Sequence, residues 1–387
     1  MAGIKLAVHA GPHRRVQCPV SAEIEVPADV SEVTMTSGGK PVPCQARRKD
    51  DALLVSWILD DLDAAATREY EVVPGSGEGG DSKGVVLSQK GDEVEVTIDG
   101  ALFTCYRHGS ELARPHLYPI IGPYGDGITR RLAREEDGRS MDHHHHRSIW
   151  VSHGEVNGFN NWAENEGHAR TVIRELEAVE DGPVLGRIAA VGAWVGTEGW
   201  VAPGGSDELL EERTEWTFYN TPADRRIIDL RVTLTALKID VLFGDTKEGG
   251  LAAVRVEESM EARSEPGGVI ENANGGINED ETWGKRAAWC DYSGPVNGKN
   301  VGIALMDHPD SFRHPTYWHV RNYGLMTANP FGLSHYHNDP TRRGHHVLSP
   351  GQSLEGIYRF YVHSGDATEG DVRERYHDFA NPPKVET

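Results

Sequence analysis

The 387-residue chain carries 39 Lys and Arg against 60 Asp and Glu, a formal net charge of −21, and so acidic a composition argues against non-specific binding to nucleic acid or anionic membrane surfaces. Hydrophobic residues make up 38%, and no run of about 18 apolar residues occurs, which excludes a helical membrane span. With 44 Gly and 21 Pro among many short Val, Ile, Thr and Tyr runs, the composition points to a turn-rich β protein with few helices.

Residues 1–80 read as a small N-terminal β-sandwich lobe. Its short alternating segments include Lys5-Leu6-Ala7-Val8, Ala22-Glu23-Ile24-Glu25-Val26 and Ala52-Leu53-Leu54-Val55-Ser56-Trp57-Ile58-Leu59, with turn signals such as Ser37-Gly38-Gly39-Lys40-Pro41 between them. The Gly/Ser/Asp-rich run 75–84 reads as a linker or surface loop, and residues 85–387 as one large domain. There, two alternating runs meet at Asp99-Gly100, a strong hairpin signal. The proline-punctuated stretch Arg114-Pro115-His116-Leu117-Tyr118-Pro119 cannot be helical and is expected to feed a rim or pocket wall. Strands are predicted over 169–176, 184–194, 209–219, 226–238, 251–260 and 301–306, with 353–362 as the closing one; these are the lengths and spacings of a large antiparallel sheet. Cys18, Cys44, Cys105 and Cys290 form no CxxC pair, so reduced structural thiols are expected. The N-terminus has no charged start followed by an apolar stretch, and a cytoplasmic location follows as the expectation.

Chemistry concentrates in Asp142-His143-His144-His145-His146-Arg147-Ser148-Ile149-Trp150, followed by His153-Gly154-Glu155-Val156-Asn157-Gly158. If this segment is extended, alternation sends His143 and His145 to one face and His144 and His146 to the other. A second concentration holds His308, His314, His319, His335, His337, His345 and His346. Two histidine clusters far apart in sequence, both near Trp, Asn and Arg, suit a pocket built from facing strands. His335-Tyr336-His337 reads as a same-face pair on a strand that, with one of His143 to His146, would make a divalent-metal site. The preferred reading is metal-free, with neutral histidines as hydrogen-bond partners or acids and bases near pH 7. His319 and Arg321 of His319-Val320-Arg321-Asn322 share a strand face, useful for proton transfer beside a cationic clamp. Glu257 is a candidate base near the strand end, and Trp283-Gly284-Lys285-Arg286 offers an aromatic platform with charge.

These motifs, with Pro119-Ile120-Ile121-Gly122-Pro123 and Tyr317-Trp318-His319-Val320-Arg321-Asn322-Tyr323-Gly324, resemble over residues 90–365 a bacterial family of unknown function that commonly carries the label "methane oxygenase PmoA". Where that family's pattern places a proline after the first histidine, this chain has His144. The label implies a membrane-spanning subunit, and this sequence has no segment able to span. In strand pattern the chain is also similar to the galactose-mutarotase-like supersandwich, which implies carbohydrate chemistry with pocket histidines and a carboxylate.

The expected architecture is therefore all-β: a large antiparallel β-sandwich of the galactose-mutarotase-like supersandwich kind, with the small N-terminal lobe. The expected function is a carbohydrate-active enzyme, a glycoside hydrolase or lyase acting on a small glycoside or an oxidised sugar derivative. His146, His153, His319 and Glu257 are the catalytic candidates, and Arg147, Asn157, Trp162, Trp283, Lys285, Arg321, His335 and His337 the substrate-binding ones. No cofactor is required on this reading, a divalent metal being the alternative. The partner is a small sugar rather than nucleic acid or membrane, and a homo-oligomer is compatible with it. An aldose-epimerase-like enzyme and a non-catalytic sugar-binding protein are the rival functions.

Overall fold

The computed structural model describes residues 3–75, 84–131, 142–202 and 205–387; most of the expected linker over 75–84 lies outside these. Among the described residues the fold is all-β, dominated by two eight-stranded antiparallel sheets. One, here the site sheet, runs edge to edge through Trp318–Arg321, Leu325–Ala328, Gly249–Arg255, Ile149–His153, His116–Ile120, Ala101–Arg107, Glu93–Ile98 and Val85–Lys90. The other runs through Arg170–Glu180, Leu185–Val195, Glu208–Tyr219, Arg225–Ala236, Ser353–Ser364, Lys299–Asp307, Trp289–Val296 and Val269–Asn272.

Period-2 alternation explains why these two sheets stack. In Arg225–Ala236, Ile228, Leu230, Val232 and Leu234 enter the shared core, where they meet Val94, Val96, Ile149, Val254 and Met326 of the site sheet. The residues between them face outward, and Asp229 pairs there with Arg359 at 2.6 Å. The expected hairpin forms at Asp99-Gly100, both residues at positive φ, between the paired Ile98 and Ala101.

The N-terminal residues build two further sheets. Ile4–His9, Thr67–Pro74, Val33–Ser37 and Lys40–Val42 share one, and Arg15–Ile24, Ala52–Leu62 and Cys44–Lys49 the other. Leu6, Val20, Val55, Trp57, Tyr70 and Val72 fill the space between them as a separate core. The chain closes back on this part: Lys384–Glu386 pairs with Ile4–His9. The helix Val372–Ala380 packs Tyr376 and Phe379 on the outer face of the long-strand sheet. Arg15, buried, reaches Asp378 of that helix at 3.2 Å, and Gln45 accepts the Leu185 N–H at 3.0 Å.

Three local expectations are corrected. The histidine run is a turn closed by the His146 N–H on the His143 carbonyl at 2.9 Å, with His143 at positive φ, so strand alternation does not sort its rings. His335-Tyr336-His337 lies in and just after the short helix Leu333–Tyr336, not on a strand; at about 100° per residue positions i and i+2 diverge. The strand predicted over 251–260 stops at Arg255, and Glu258–Met260 is a 3-10 turn. All four cysteines are free. No helix among the described residues is long and apolar enough to cross a membrane.

The alternation makes a direct prediction for stability. Leu230→Ala should cost about 2–5 kcal/mol, whereas its neighbour Arg231, half-exposed and paired with Glu355, should tolerate Ala within about 1 kcal/mol. Urea unfolding of both variants checks this, and equal losses would contradict the assigned faces.

Candidate active site on the outer face of the site sheet

Four adjacent strands at one edge of the site sheet carry core residues on one face and chemistry on the other. Ile149, Val254, Met326 and Val320 lie side by side across four strands and all point into the core. One residue along, the register aligns Trp150, Ala253, Thr327 and His319, which therefore share the opposite, outer face. Two residues from His319 along its strand, Arg321 pairs through Leu325 with Arg255 on that same face. Small side chains, Ala253 and Thr327, separate a tryptophan on one side from a histidine on the other.

The histidine turn folds over this face from the Trp150 side. His146, 3% exposed, stacks on Trp150 with ring centroids 5.5 Å apart and meets Trp162 edge-on at 5.3 Å. Arg255, 1% exposed, donates from Nη1 to His146 Nδ1 at 2.9 Å and from Nη2 to Glu261 Oε1 at 3.0 Å. The turn is held from outside by Glu164, which pairs with both Arg147 and Arg114, while Arg114 also donates to the carbonyls of His145 (3.2 Å) and Trp162 (2.9 Å). Burial pushes the Glu164 carboxyl up, but Arg147 and Arg114 outweigh it and leave it below the usual carboxylate range. Tyr323 collects three guanidinium groups within 6 Å of its ring, those of Arg255, Arg263 and Arg321 at 4.9, 5.7 and 5.3 Å, and His143 stacks on it at 4.8 Å.

His319, 1% exposed, is fixed from the other side: Trp283 Nε1–H donates to its Nδ1 at 2.9 Å. Beyond Trp283 opens a cavity of about 350 Å³ lined by Lys247, Trp283, Ser334, His335, Asn338 and Asp339. Arg321 pairs with Glu279 at 2.8 Å. Burial, then Arg321 and Lys247, depress His319 to about 3. Burial, then His145 and Arg255, take His146 well below its ordinary value, with His319 close enough to contribute. Both imidazoles are neutral near pH 7.

Those two Nδ1 contacts decide the tautomer. Neither the guanidinium nor the indole N–H can accept, so each Nδ1 keeps its lone pair and the ring proton sits on Nε2. The Nε2 atoms of His146 and His319, and Nε1 of Trp162, are buried without a hydrogen-bond partner among the described residues. The sequence-based roles shift accordingly: neither ring has a lone pair free to act as a base. Nor does the donor set suit a divalent metal, since ligation through Nε2 requires Nδ1 to donate, and here it accepts. Exposed His337 contacts the Tyr317 hydroxyl instead, at 3.1 Å. No group of three or more His, Cys, Asp or Glu suited to a metal occurs among the described residues.

Of the sequence-predicted residues, the structure thus brings together His146, His319, Arg321, Trp162, Trp283 and His335, with Arg147 bracing the turn. Others lie elsewhere. His153 points into the core against Phe243 and Phe331 and donates from Nε2 to the Gly244 carbonyl at 2.9 Å; alternation along its strand puts it on the core face with Ile149 and Val151, opposite Trp150. Asn157 is a turn residue bonded to the backbone of Asp240 and Leu242, and Lys285 is exposed. Glu257 lies past the strand end, where its charge acts on Arg130. The residues that reading the sequence missed are Arg255, Glu261, Tyr323, Arg114 and Glu164. Arg255 alone had a usable signal, a lone charge ending the apolar run Leu251-Ala252-Ala253-Val254.

Residues 93–377 match a family of unknown function (DUF6807). No curated protein matches the chain. Two solved structures resemble it: a protein in the glycosyl hydrolase family 38 from Enterococcus faecalis, 10% identical with a TM-score of 0.46, and an alpha-mannosidase from Enterococcus faecalis V583, 10% identical with a TM-score of 0.48. The matches cover all of this chain but only 47% and 46% of those chains, so it spans about half their length.

Two stability predictions follow from the site. Glu261→Ala leaves the buried Arg255 charge without its carboxylate and should cost about 3–5 kcal/mol, while replacing both by Met and Leu should cost less; urea unfolding reads both. The second concerns pH. His116, His153 and His319 are buried, and burial above all lowers them to about 3, about 4 and about 3. In the unfolded chain they titrate near about 6.5. The unfolded state therefore binds more protons as pH falls, and their stabilisation, complete above about pH 6.5, is lost progressively toward pH 3 to 4. His363 opposes this: burial lowers it, but Asp291 outweighs burial and raises it, so its contribution is present at low pH and lost as pH rises through that value. The lowered rings outweigh it, and the melting temperature should drop by several degrees from pH 7 to pH 5. A flat or rising profile would contradict their buried, neutral state.

Proposed function

Because the chain belongs to DUF6807, a family of unknown function, the assignment has to come from its own site, and we propose that it is a carbohydrate-active enzyme that cleaves a glycosidic bond, as hydrolase or lyase, in a small glycoside or oxidised sugar derivative. The observation that carries this reading is the pair of buried, neutral imidazoles, His146 and His319, each held at Nδ1 by a dedicated donor and each with an Nε2–H that finds no partner among the described residues. Leaving a buried donor unpaired costs about 1–3 kcal/mol, and fixed donors of this kind are useful where charge develops on a reacting oxygen.

The neighbouring cavity supports a sugar as the ligand. Its volume of about 350 Å³ suits a monosaccharide unit, Trp283 supplies an apolar platform, and Lys247, Ser334, His335, Asn338 and Asp339 supply hydrogen-bonding groups. In this scheme His319 and His146 polarise substrate oxygen, Arg321 adds positive potential, and exposed His335 lines the cavity as a hydrogen-bonding group. The reading needs no metal.

The test is turnover of protein purified without metal-affinity resin, on a panel of aryl glycosides and their oxidised counterparts, before and after chelation. Cleavage that survives chelator is expected. His319→Ala should lower kcat by about 10²-fold or more, and Lys285→Ala should leave it unchanged. Anomer interconversion without cleavage would move the assignment to an epimerase, and saturable binding without turnover to a binding protein.

A further inference from the structure

We propose that Glu248 is the proton-transfer group of the carbohydrate site, base and then acid in an elimination, and that the substrate is an oxidised sugar whose ketone or carboxylate acidifies a neighbouring C–H; this rests on the carbohydrate reading above. The sheet register places Glu248. Trp150 donates from Nε1 to Ser152 Oγ at 2.9 Å on the outer face of the site sheet, and alternation carries Gly154 to that face too. Ser152 pairs with Gly250, and the Gly154 N–H donates to the Glu248 carbonyl at 2.7 Å. Glu248 therefore stands on the outer face at the open end of its strand, opposite a residue with no side chain to cover it. Its carboxylate lies 3.6 Å from Nζ of Lys247, which lines the cavity beside Trp283. After burial, Glu248 is the largest influence raising the phenol of Tyr336, whose ring packs edge-on against Trp283 at 5.4 Å.

The neighbouring carboxylates are committed elsewhere. Glu164 pairs with Arg147 and Arg114, Glu261 with Arg255 and Arg263, and Glu279 with Arg321. Asp245 accepts the Ser334 and Gly344 N–H groups. Asp339, in the cavity wall, accepts the Thr341 hydroxyl and N–H at 2.7 and 2.9 Å. Those bonds hold it below the usual carboxylate range, which weakens it as a base. Glu248 differs: its contact with Lys247 is longer than a hydrogen bond, and its side chain, 43% exposed, exchanges protons with solvent. Hydrolysis as a rule takes two carboxyl groups flanking the bond, whereas one suffices for elimination. Glu248 takes the proton from the carbon beside the ketone or carboxylate. The C–H electron pair forms a C=C bond while the C–O bond on the next carbon breaks, its electrons staying on the leaving oxygen. That oxygen takes the proton back from Glu248, so no water, oxidant or reductant is consumed. Lys247 supplies positive charge for the enolate that develops on the way.

The experiment is turnover by the full chain of three probes, with products identified by NMR: an aryl 3-ketoglucoside, whose C2–H lies beside the ketone; a disaccharide linked through C4 of a glucuronate, whose C5–H lies beside the carboxylate; and an aryl β-D-glucoside, which has no acidified C–H. At least one oxidised probe should be cleaved to an unsaturated sugar, and the glucoside should not be cleaved. Which of the two reacts separates ketone from carboxylate. Glu248→Gln should lower kcat on that probe by about 10²-fold or more with KM within about threefold, and Asp339→Asn should act mainly on KM. Should Glu248→Gln fail to fold, Glu248→Asp, which keeps the carboxylate but draws it back by one methylene, should lower the same kcat. Cleavage to a saturated reducing sugar, or wild-type kcat in the Glu248 variants, would overturn the inference while leaving the carbohydrate reading intact. Cleavage of none of the three would overturn it as well, and failure of all three to bind would take the carbohydrate reading with it.

Discussion

A buried guanidinium holds the site together. Taking Arg255 out of water onto a sheet face costs several kcal/mol, which only close partners can offset. It has them: Glu261 on one amine, His146 on the other and Tyr323 beneath. Its backbone N–H also bonds the Ser148 carbonyl at 2.8 Å, and its carbonyl accepts from Arg130 at 3.0 Å. One residue thereby ties the histidine turn, the end of its strand and the 3-10 turn carrying Glu261 into one unit. Burial, followed by Arg130, lowers its own guanidinium to about 10, still charged near pH 7. Burial above all, then His145 and this charge, keep His146 neutral, and the Arg255 N–H on Nδ1 holds the ring proton on Nε2.

The same strands serve two purposes because a β-strand has two faces. Ile149, Val254, Met326 and Val320 anchor the site sheet to the long-strand sheet, so the backbone beneath Trp150, Arg255, Thr327 and His319 is held by the main core rather than by loops. Functional side chains on such a floor keep their spacing. What is loop-borne, the His143 to His146 turn, is clamped separately through Glu164 between Arg147 and Arg114.

Histidine abundance alone is a poor guide to chemistry. Nineteen histidines invite a metal, yet the role of each ring depends on its partners. His153 donates to a carbonyl in the core, His314 contacts the Asp307 carboxylate at 2.9 Å, and His363 contacts Asp291 inside the long-strand sheet at 2.8 Å. Among the described residues, His146 and His319 have Nδ1 facing an obligate donor and Nε2 buried without a partner.

The all-β class, the long strands around 184–194, 209–219 and 226–238 and the Asp99-Gly100 hairpin were legible in the chain itself, because alternation and turn chemistry are local properties. So was the concentration of chemistry at 142–150 and 317–324, and the pairing of His319 with Arg321 on one strand face. The sequence could not place Glu261 under Arg255 or bring Trp283 to the Nδ1 of His319. Nor could it tell that four successive histidines make a turn. Those outcomes depend on which strands become neighbours and in what register, and tautomer and protonation depend in turn on those neighbours. Composition and periodicity determine how each segment folds, whereas the state of each imidazole is settled by partners as far as 109 residues away, the separation of His146 from Arg255.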